Sequence, residues 1–214
     1  MIEAKSLCKS YGFFKAVDNL SFTVEAGQVL GFLGPNGAGK STTMKMLTGF
    51  LTPTSGTALI NGVDVVENSV AARKNIGYLP EGAPSYGEMT VQQFLTFIGT
   101  ARLINKKDVA GSVEKVIEEL NLSRVKHQVI ETLSKGFKRR VGLAQAIIHD
   151  PQILILDEPT DGLDPTQTRE VRGLIRAMAK DKIIIISTHI LEEVAAVCNR
   201  VMIIANGKLL ADDS

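Results

Sequence analysis

Gly34-Pro35-Asn36-Gly37-Ala38-Gly39-Lys40-Ser41-Thr42 fits the phosphate-binding loop, a pattern in which two separated glycines precede Lys and Ser or Thr. An apolar run at residues 29–33 precedes the stretch as a strand would, and the residues after it can form a helix. Such a loop points backbone N–H groups at a polyphosphate, and the helix N-terminus adds partial positive charge. A glycine-rich turn without a ligand is the alternative, but these residues rarely coincide between a strand and a helix. We therefore predict that the whole stretch binds a polyphosphate ligand, with Lys40 at the terminal phosphates and Ser41 as a ligand of Mg²⁺.

The composition is that of an ordinary globular protein, because 44% of the 214 residues are hydrophobic and 22% are charged. The formal net charge of +1 gives no electrostatic reason to expect nucleic acid as a partner. The longest apolar runs, such as residues 183–186, are too short to cross a bilayer, and the N-terminus lacks the apolar core of a signal peptide. We therefore expect a cytoplasmic protein with one large domain or two small ones.

Hydrophobic periodicity divides the chain into three parts. Residues 2–7 and 20–25 alternate between apolar and polar side chains, which is typical of antiparallel strands with one wet face. From about residue 82 to 150 apolar residues recur only at helical spacing, and strands alternate with helices afterwards. We predict an α/β fold with a mainly parallel sheet, an N-terminal antiparallel β subdomain and an inserted α-helical subdomain. The chain would form one domain, 1–214, with its core at about 1–81 and 152–214 and the helical subdomain at about 82–151.

Two adjacent carboxylates, Asp157 and Glu158, follow the apolar run at residues 153–156. Open α/β sheets bind ligands at the carboxyl ends of their strands, so this pair is placed to act on the ligand. Asp157 can hold Mg²⁺ opposite the phosphate-binding loop, and Glu158 can act as a base or orient the attacking water. A solvated acidic turn before Pro159 is the alternative, and the phosphate-binding loop elsewhere in the chain favours the functional interpretation.

His189 follows another buried strand, predicted at residues 183–187. A lone histidine often lies at a surface without a role, but the end of a core strand places this one within reach of a γ-phosphate. We assign Glu158, His189 and Lys40 as the catalytic residues, and we interpret the other two histidines as structural or solvent-facing.

The chain as a whole resembles the nucleotide-binding domain of ATP-binding cassette (ABC) transporters. Six family motifs occur in the family's order, together with a segment that resembles its D-loop, Asp161-Gly162-Leu163-Asp164-Pro165. The six are Tyr11, the phosphate-binding loop, Gly77-Tyr78-Leu79-Pro80-Glu81, the signature-like Leu133-Ser134-Lys135-Gly136-Phe137, Asp157-Glu158 and His189. In detail the chain is most similar to ATPases of the ABC-2 type, which work with separately encoded, exporter-like permeases.

The resemblance implies ATP with Mg²⁺ as the ligand and a dimer as the working unit. Tyr11 would stack on adenine, although the sequence itself leaves a half-buried core tyrosine as the alternative. Ser134 and Gly136 would begin a helix whose N-terminus faces the γ-phosphate bound by a second subunit, and Asp164 would align the opposing site. ATP would lie between two identical or homologous cassettes in a head-to-tail arrangement.

Two positions depart from the family pattern. The signature usually reads Leu-Ser-Gly-Gly-Gln, and here Lys135 and Phe137 replace its third and fifth residues. Lys135 would either add positive charge near the phosphates or point to solvent. Glu81 stands where the family commonly has a glutamine that contacts Mg²⁺. A glutamate can still ligate the metal but adds negative charge, so Glu81 is an open assignment beside the ligands Ser41 and Asp157.

The resemblance implies a peripheral subunit at the cytoplasmic face of a membrane, which hydrolyses ATP to drive translocation by an ABC-2 type permease. Permease contacts would come from residues 82–87 and from Phe94, Phe97 and Ile98, unless these apolar side chains pack in the core. The alternative is a soluble ABC ATPase that acts on ribosomes or DNA. Such proteins usually contain two cassettes or a long coiled coil, and the sequence has neither. We therefore expect an integral membrane permease as a partner and no nucleic acid.

Overall fold

Two β-sheets form the frame of the protein, and a computed structural model describes residues 1–213. The strands, in chain order, are β1 (Ile2–Tyr11), β2 (Phe14–Val24), β3 (Val29–Leu33), β4 (Ser55–Ile60), β5 (Val63–Asp64), β6 (Ile76–Leu79), β7 (Ile153–Asp157), β8 (Ile183–Thr188), β9 (Arg200–Ala205) and β10 (Lys208–Asp213). The helices are α1 (Lys40–Leu47), α2 (Ser69–Lys74), α3 (Val91–Ala101), α4 (Val109–Glu119), α5 (Lys135–Ile147), α6 (Pro165–Met178) and α7 (Leu191–Val197). Two short 3-10 helices, Ser123–Val125 and Ile130–Thr132, lie between α4 and α5.

The first sheet is antiparallel and has the strand order β2-β1-β4-β5, and the second has the order β10-β9-β3-β8-β7-β6. In the second sheet β6, β7, β8, β3 and β9 are parallel, and the edge strand β10 runs antiparallel to β9. Asn206 and Gly207 form the hairpin turn before β10 with φ angles of 50° and 74°, the left-handed conformation that Asn-Gly favours. Because β3 lies between β8 and β9, the phosphate-binding loop leaves the interior of the sheet rather than its edge.

The parallel strands are buried on both faces. Along β7, Ile153 and Ile155 pack with the antiparallel sheet and α1, whereas Leu154 and Leu156 pack with α3, α4 and α5. Alternate side chains of a strand point to opposite faces, so one apolar run contributes to two cores. All of β7 is buried, and this includes Asp157 at its carboxyl end. The parallel sheet is therefore the middle layer, and its strand ends position the polar residues that follow them.

The segment between β6 and β7 is helical, as its periodicity predicts. Helix α3 begins with a capping box, in which Thr90 and Gln93 exchange side-chain and backbone hydrogen bonds. Helix α5 begins after Ser134, whose hydroxyl accepts a hydrogen bond from the backbone N–H of Phe137 at 3.4 Å, so the predicted helix start is confirmed. The predicted class, α/β with an antiparallel subdomain and a helical insert, agrees with these elements. Within residues 1–213, no helix combines the length and the apolar character that a membrane span requires.

The structure decides between the alternatives left open for the predicted permease contacts of the insert. The loop at residues 82–87 is not exposed throughout, because Ala83 is buried and packs against Gly142 of α5. Phe94 is only 3% exposed, so it packs in the core instead of offering a surface to a partner. Phe97 is 44% exposed and Ile98 is partly buried, so the exposed apolar face of α3 depends on Phe97. The boundaries of the insert at about residues 82 and 151 remain a prediction.

Candidate functional site

The predicted phosphate-binding loop joins the end of β3 to the start of α1. Gly37 and Gly39 have φ angles of 79° and 102°, in a region that other residues rarely adopt. A Cβ at Gly39 would also meet the carbonyl oxygen of Ala16 on β2, so glycine is required there for two reasons. The N-terminus of α1 has no side-chain cap. Its first backbone N–H groups are therefore available to an anion.

The ammonium group of Lys40 lies inside this loop. Lys40 is 5% exposed, and its Nζ donates hydrogen bonds to the carbonyl oxygens of Gly34 at 2.7 Å and Pro35 at 3.2 Å. The carboxylate of Glu158 lies 3.8 Å from the same nitrogen. An ammonium group has three N–H donors and no acceptor, so phosphate oxygens in the loop would meet the same donors.

Asp157 is fully buried at the carboxyl end of β7. Its Oδ1 accepts hydrogen bonds from the hydroxyl of Ser41, at 3.2 Å, and from the hydroxyl of Ser187 on β8. Its Oδ2 is buried and has no hydrogen-bond partner within residues 1–213. A buried carboxylate oxygen without a partner is costly unless a cation binds it. Ser41 and Asp157 fit Mg²⁺, since this ion commonly takes few protein ligands and keeps phosphates and waters as the others.

Glu158 occupies the centre of the site with an unusual backbone conformation. Its φ angle is 50°, and its backbone N–H donates to the carbonyl oxygen of Ser187 at 3.0 Å. Left-handed φ angles at residues other than glycine persist where the surroundings enforce them, often at functional sites. Both carboxylate oxygens lie 3.1 Å from Nδ1 of His189, and Oε1 lies 3.8 Å from Nζ of Lys40. The structure thus brings the three predicted catalytic residues into contact.

A cavity of about 450 Å³ opens beside this group. Among the predicted site residues, its lining contains Tyr11, Asn36, Gly37, Gly39, Lys40, Ser41, Thr42, Glu81 and Glu158. Tyr11 is 53% exposed, so the alternative of a core tyrosine is wrong. Two lining residues were not predicted, namely Phe14, which pairs with Tyr11 across the β1–β2 hairpin, and Ala16. The aromatic cluster at residues 11–14 was the signal that could have indicated Phe14.

Three residues of the predicted loop do not line the cavity. Gly34 and Pro35 act through the carbonyl oxygens that hold Lys40, and Ala38 is 3% exposed. A Cβ at Gly34 would meet the backbone of Ile204 on β9, so its small size serves packing. These residues shape the loop without lining the cavity.

Ser134, Gly136 and Asp164 do not line this cavity, so a single chain does not bring them to the phosphate-binding loop. Gly136 is buried beneath the side chain of Gln167, which occupies the space that a Cβ would need. Asp164 caps α6 by accepting a hydrogen bond from the backbone N–H of Gln167 at 2.9 Å. Their roles toward a second subunit remain a prediction.

Lys135 contacts the D-loop-like segment of its own chain. Its Nζ lies 3.0 Å from a carboxylate oxygen of Asp161, and its side chain crosses the face of Gly162. The lysine is largely exposed and the site cavity does not include it. In a single chain, Lys135 at the third signature position therefore forms an ion pair with Asp161.

Arg139 on α5 is a site residue that the sequence reasoning missed. It is 5% exposed, and its guanidinium donates hydrogen bonds to the carbonyl oxygens of Pro80, Asp157, Glu158 and Pro159. Burial lowers the pKa of this guanidinium from its ordinary value, and nearby carboxylates oppose the shift. One side chain thus ties α5 to the carboxyl ends of β6 and β7. The sequence signal that could have indicated Arg139 was a charged residue on the otherwise buried face of helix α5.

The two remaining histidines lie away from the site. His149 is partly buried, and its Nε2 lies 3.1 Å from the carbonyl oxygen of Ile76. Burial lowers the pKa of His149 to about 4, so its ring is neutral at neutral pH. His127 is exposed after the first 3-10 helix. Both positions agree with a structural or solvent-facing role.

A phosphate-binding loop and a buried carboxylate at the ends of strands in one parallel sheet define a P-loop nucleotide-binding protein. The sequence profile of the ABC transporter family matches residues 17–161. The chain belongs to the ABC transporter family. The predicted function, an ATP-binding subunit with ATPase activity that drives transport, is confirmed at this level.

Relatives and a solved structure agree with this assignment. An uncharacterized ABC transporter ATP-binding protein of Bacillus subtilis is 42% identical over 98% of this chain and 69% of its own length. Nod factor export ATP-binding protein I of Rhizobium meliloti is 39% identical over 99% of this chain and 63% of its own length. A dimeric ATP-binding cassette in a post-hydrolysis state, bound to ADP and phosphate, superposes with a TM-score of 0.93 at 19% identity, covering 100% of this chain and 98% of that chain. The predicted fold class is confirmed, and the chain spans about two thirds of the length of these curated relatives.

Proposed function

We propose that this chain hydrolyses ATP with Glu158 as the general base, and that it works as one half of a dimer that drives an export permease. The observation that supports the catalytic assignment is the contact group of Lys40, Glu158 and His189 beside the fully buried Asp157. Each member offers a different chemical function at the end of the sheet where ligands bind in open α/β folds.

ATP binds through its phosphates to the N–H groups of the loop and to Lys40, whose charge opposes theirs. Ser41 and Asp157 would hold Mg²⁺, which would supply positive charge to neutralise the phosphates. Glu81 is exposed in the cavity lining and is the weaker candidate for the metal. Tyr11 and Phe14 form an exposed aromatic rim on which the adenine stacks.

Glu158 accepts a proton from the water whose oxygen attacks the γ-phosphorus, while the bond from that phosphorus to the oxygen of ADP breaks. The side chain of Glu158 is 12% exposed, so its position is set by protein contacts. His189 orients the carboxylate from 3.1 Å, and the left-handed backbone of Glu158 points it toward the loop. Lys40 places the phosphates beside that carboxylate.

Glu158→Gln tests the catalytic assignment because it keeps the size of the side chain and removes the base. We expect kcat to fall by at least about 100-fold, in the range for loss of a general base, while ATP affinity stays within twofold of wild type. Steady-state ATPase rates and titration with a fluorescent ATP analogue measure the two quantities. Glu192→Gln, an exposed carboxylate on α7, is the matched control and should retain the wild-type rate. A wild-type kcat in Glu158→Gln would exclude Glu158 as the base.

The dimer is proposed to be head-to-tail, with ATP between the phosphate-binding loop of one chain and the start of α5 of the other. The positions of Ser134 and Gly136 support this arrangement. Both residues lie at the start of a helix, where phosphate can bind, but outside the cavity of their own chain. Asp164 at the start of α6 would align the opposing site. In size-exclusion chromatography with ATP and Mg²⁺, Glu158→Gln should elute as a dimer, because bound ATP is not consumed. A monomer under saturating ATP would contradict the arrangement.

The permease is proposed to dock on a surface formed by the helical insert and the neighbouring helix α2, which would place the chain at the cytoplasmic face of a membrane. On α3, Phe97 is exposed and lies 5.5 Å from the ring of Tyr86. Beyond the end of α3, a cavity of about 680 Å³ is lined by the exposed apolar residues Val70 and Leu103 together with cations. Apolar surface of this kind is typical of a partner-binding site.

The charge of this cavity indicates the chemistry of the partner. Arg73, Lys74 and Arg102 line it, and none of them forms an ion pair with another part of residues 1–213. Burial and the charge of Arg73 lower the pKa of Arg102. A docking segment that combines apolar side chains with a carboxylate would match this surface.

Phe97→Asp and Lys74→Glu test the docking surface. Each should lower the yield of the membrane partner that co-purifies with the chain, while the ATPase rate of the isolated chain stays unchanged. Phe50→Asp is the matched control, because Phe50 is also exposed but follows α1 and neither lies on α3 nor lines this cavity. Equal recovery of the partner with all variants would contradict docking at this surface.

A further inference from the structure

We propose that Glu193 is a positioning residue, which holds the loop of Glu158 and the loop of His189 in a fixed relation. The inference rests on the proposed catalytic roles of Glu158 and His189. Glu193 lies on α7, outside the cavity that contains Glu158, so it does not contact ATP. It acts through two threonine hydroxyls, each next to one of the two catalytic loops.

The contacts of Glu193 are made inside the protein. Glu193 is only 5% exposed. Its Oε2 accepts a hydrogen bond from the hydroxyl of Thr188 at 2.7 Å, and its Oε1 accepts one from the hydroxyl of Thr160. Thr188 and Thr160 are themselves buried, so both hydrogen bonds are shielded from water. One carboxylate therefore joins the end of β8 to the turn that follows β7.

Thr188 directly precedes His189, and its hydroxyl has a fixed direction. The oxygen of that hydroxyl accepts a hydrogen bond from the backbone N–H of Ile190 at 3.1 Å. Its proton is then donated to Glu193. The hydroxyl therefore bridges the backbone after His189 to the carboxylate, and movement of Glu193 would release this segment.

Thr160 stands two residues after Glu158, at the start of the D-loop-like segment. The carbonyl oxygen of Glu158 accepts a hydrogen bond from the backbone N–H of Asp161 at 3.1 Å, and that of Thr160 accepts one from Leu163 at 3.1 Å. These bonds make the turn after Glu158 a connected unit. Glu193 accepts a hydrogen bond from Thr160, so the same carboxylate holds both this turn and the segment of Thr188 and His189.

The burial of a carboxylate at this place needs a reason other than packing. Within residues 1–213, Glu193 has no Lys, Arg or His within ion-pair distance. Burying an uncompensated carboxylate is costly, and an apolar side chain would dock α7 on the sheet without that cost. Unlike an apolar side chain, a carboxylate offers two hydrogen-bond acceptor oxygens on one rigid group, and here each oxygen accepts from one threonine.

Glu193→Ala and Glu192→Ala form a matched pair for the test, because these adjacent glutamates differ in burial and contacts. We expect Glu193→Ala to lower kcat by about 10- to 100-fold, the loss typical of a misplaced catalytic group, with the Kd for a fluorescent ATP analogue within twofold of wild type. Glu192→Ala should keep wild-type values of both. A folded Glu193→Ala with wild-type kcat, or a parallel loss of ATP binding and kcat, would overturn the proposal.

Glu193→Gln separates hydrogen bonding from charge and serves if the alanine variant does not fold. The amide oxygen can still accept from Thr188, and the amide N–H can donate to the hydroxyl of Thr160, so most of the kcat should return. Thr188→Val should reproduce much of the loss, and the double variant Thr188→Val/Glu193→Ala should lose no more than about twofold beyond Glu193→Ala. Additive losses, or no rescue by glutamine, would exclude a shared positioning role. Since Glu158→Gln tests the base on its own, its failure is distinguishable from a failure here.

Discussion

The N-termini of α1 and α5 are both proposed to bind phosphate, but they differ in whether their own chain caps them. Helix α1 has no side-chain cap, and its N-cap residue Gly39 has a φ angle of 102°. Helix α5 is capped by Ser134 and is covered at its first turn by Gln167. An uncapped helix start leaves its N–H groups for an anion, whereas a capped start has already satisfied one of them.

This difference separates a preformed half-site from one that depends on a second chain. The α1 half is complete within one chain, because Lys40, Ser41 and Asp157 already lie together. The α5 half is stabilised by contacts within its own chain, including the pair of Lys135 with Asp161. Substitutions at α1 should therefore change ATP binding by the isolated chain, whereas substitutions at α5 should leave that binding unchanged and alter the steps that involve the dimer.

Lys40→Ala should have the largest effect on the α1 half. Loss of a buried charged donor to phosphate costs up to about 3 kcal/mol, or about 100-fold in the Kd for ATP. Isothermal titration of the isolated chain with ATP and Mg²⁺ measures this change. Lys45→Ala, an exposed lysine on the same helix, is the matched control and should bind as wild type. Wild-type affinity in Lys40→Ala would show that the loop is not the ATP site.

Gly39→Ala tests the backbone of the same half-site. A side chain at a φ angle of 102° that also meets the carbonyl oxygen of Ala16 should cost about 2 kcal/mol, so both the melting temperature and the ATP affinity should fall. Gly111→Ala on α4 is the control, since a Cβ there has open space and a helix favours alanine. If Gly39→Ala bound ATP as wild type, the strained turn would not be needed for the site.

The α1 half was predictable from the sequence because its determinants are local. Glycine spacing, the lysine and the flanking apolar run specify a strand, a turn and a helix within a few residues. Asp157 and Glu158 were also predictable, since the end of a buried strand in a parallel sheet is a defined place. The predicted start of α5 followed from the capping preference of Ser134.

Contacts between distant segments could not be predicted in the same way. Arg139 binds carbonyl oxygens that belong to residues far from it in sequence, and Glu193 joins threonines from two loops. Helical spacing identified the apolar side of α3, but it could not distinguish the buried Phe94 from the exposed Phe97. These outcomes depend on which elements pack together, and periodicity describes one element at a time.

Ser134→Ala should have a smaller effect and a different kind of effect from the α1 variants. Loss of the cap costs about 1 kcal/mol of stability, while the Kd for ATP of the isolated chain should not change. In the dimer, loss of the hydroxyl should lower the steady-state ATPase rate. Measuring that rate at several protein concentrations distinguishes slower hydrolysis within the dimer from weaker association of the two chains. A raised Kd in the monomer would mean that α5 contacts ATP in its own chain, which the proposed arrangement excludes.

Lys135→Ala should have the smallest effect, because an exposed ion pair contributes at most about 1 kcal/mol and is screened by salt. If Asp161 of the same chain holds the lysine, the KM for ATP in the dimer should change by less than about twofold at physiological salt. Asp161→Asn should then behave like Lys135→Ala, and the double variant should add nothing further. A tenfold rise of KM in Lys135→Ala alone would instead place the ammonium group at the phosphates of the opposing chain. That result would make the third signature position part of the ATP site, and it would reduce the difference between the two helix N-termini.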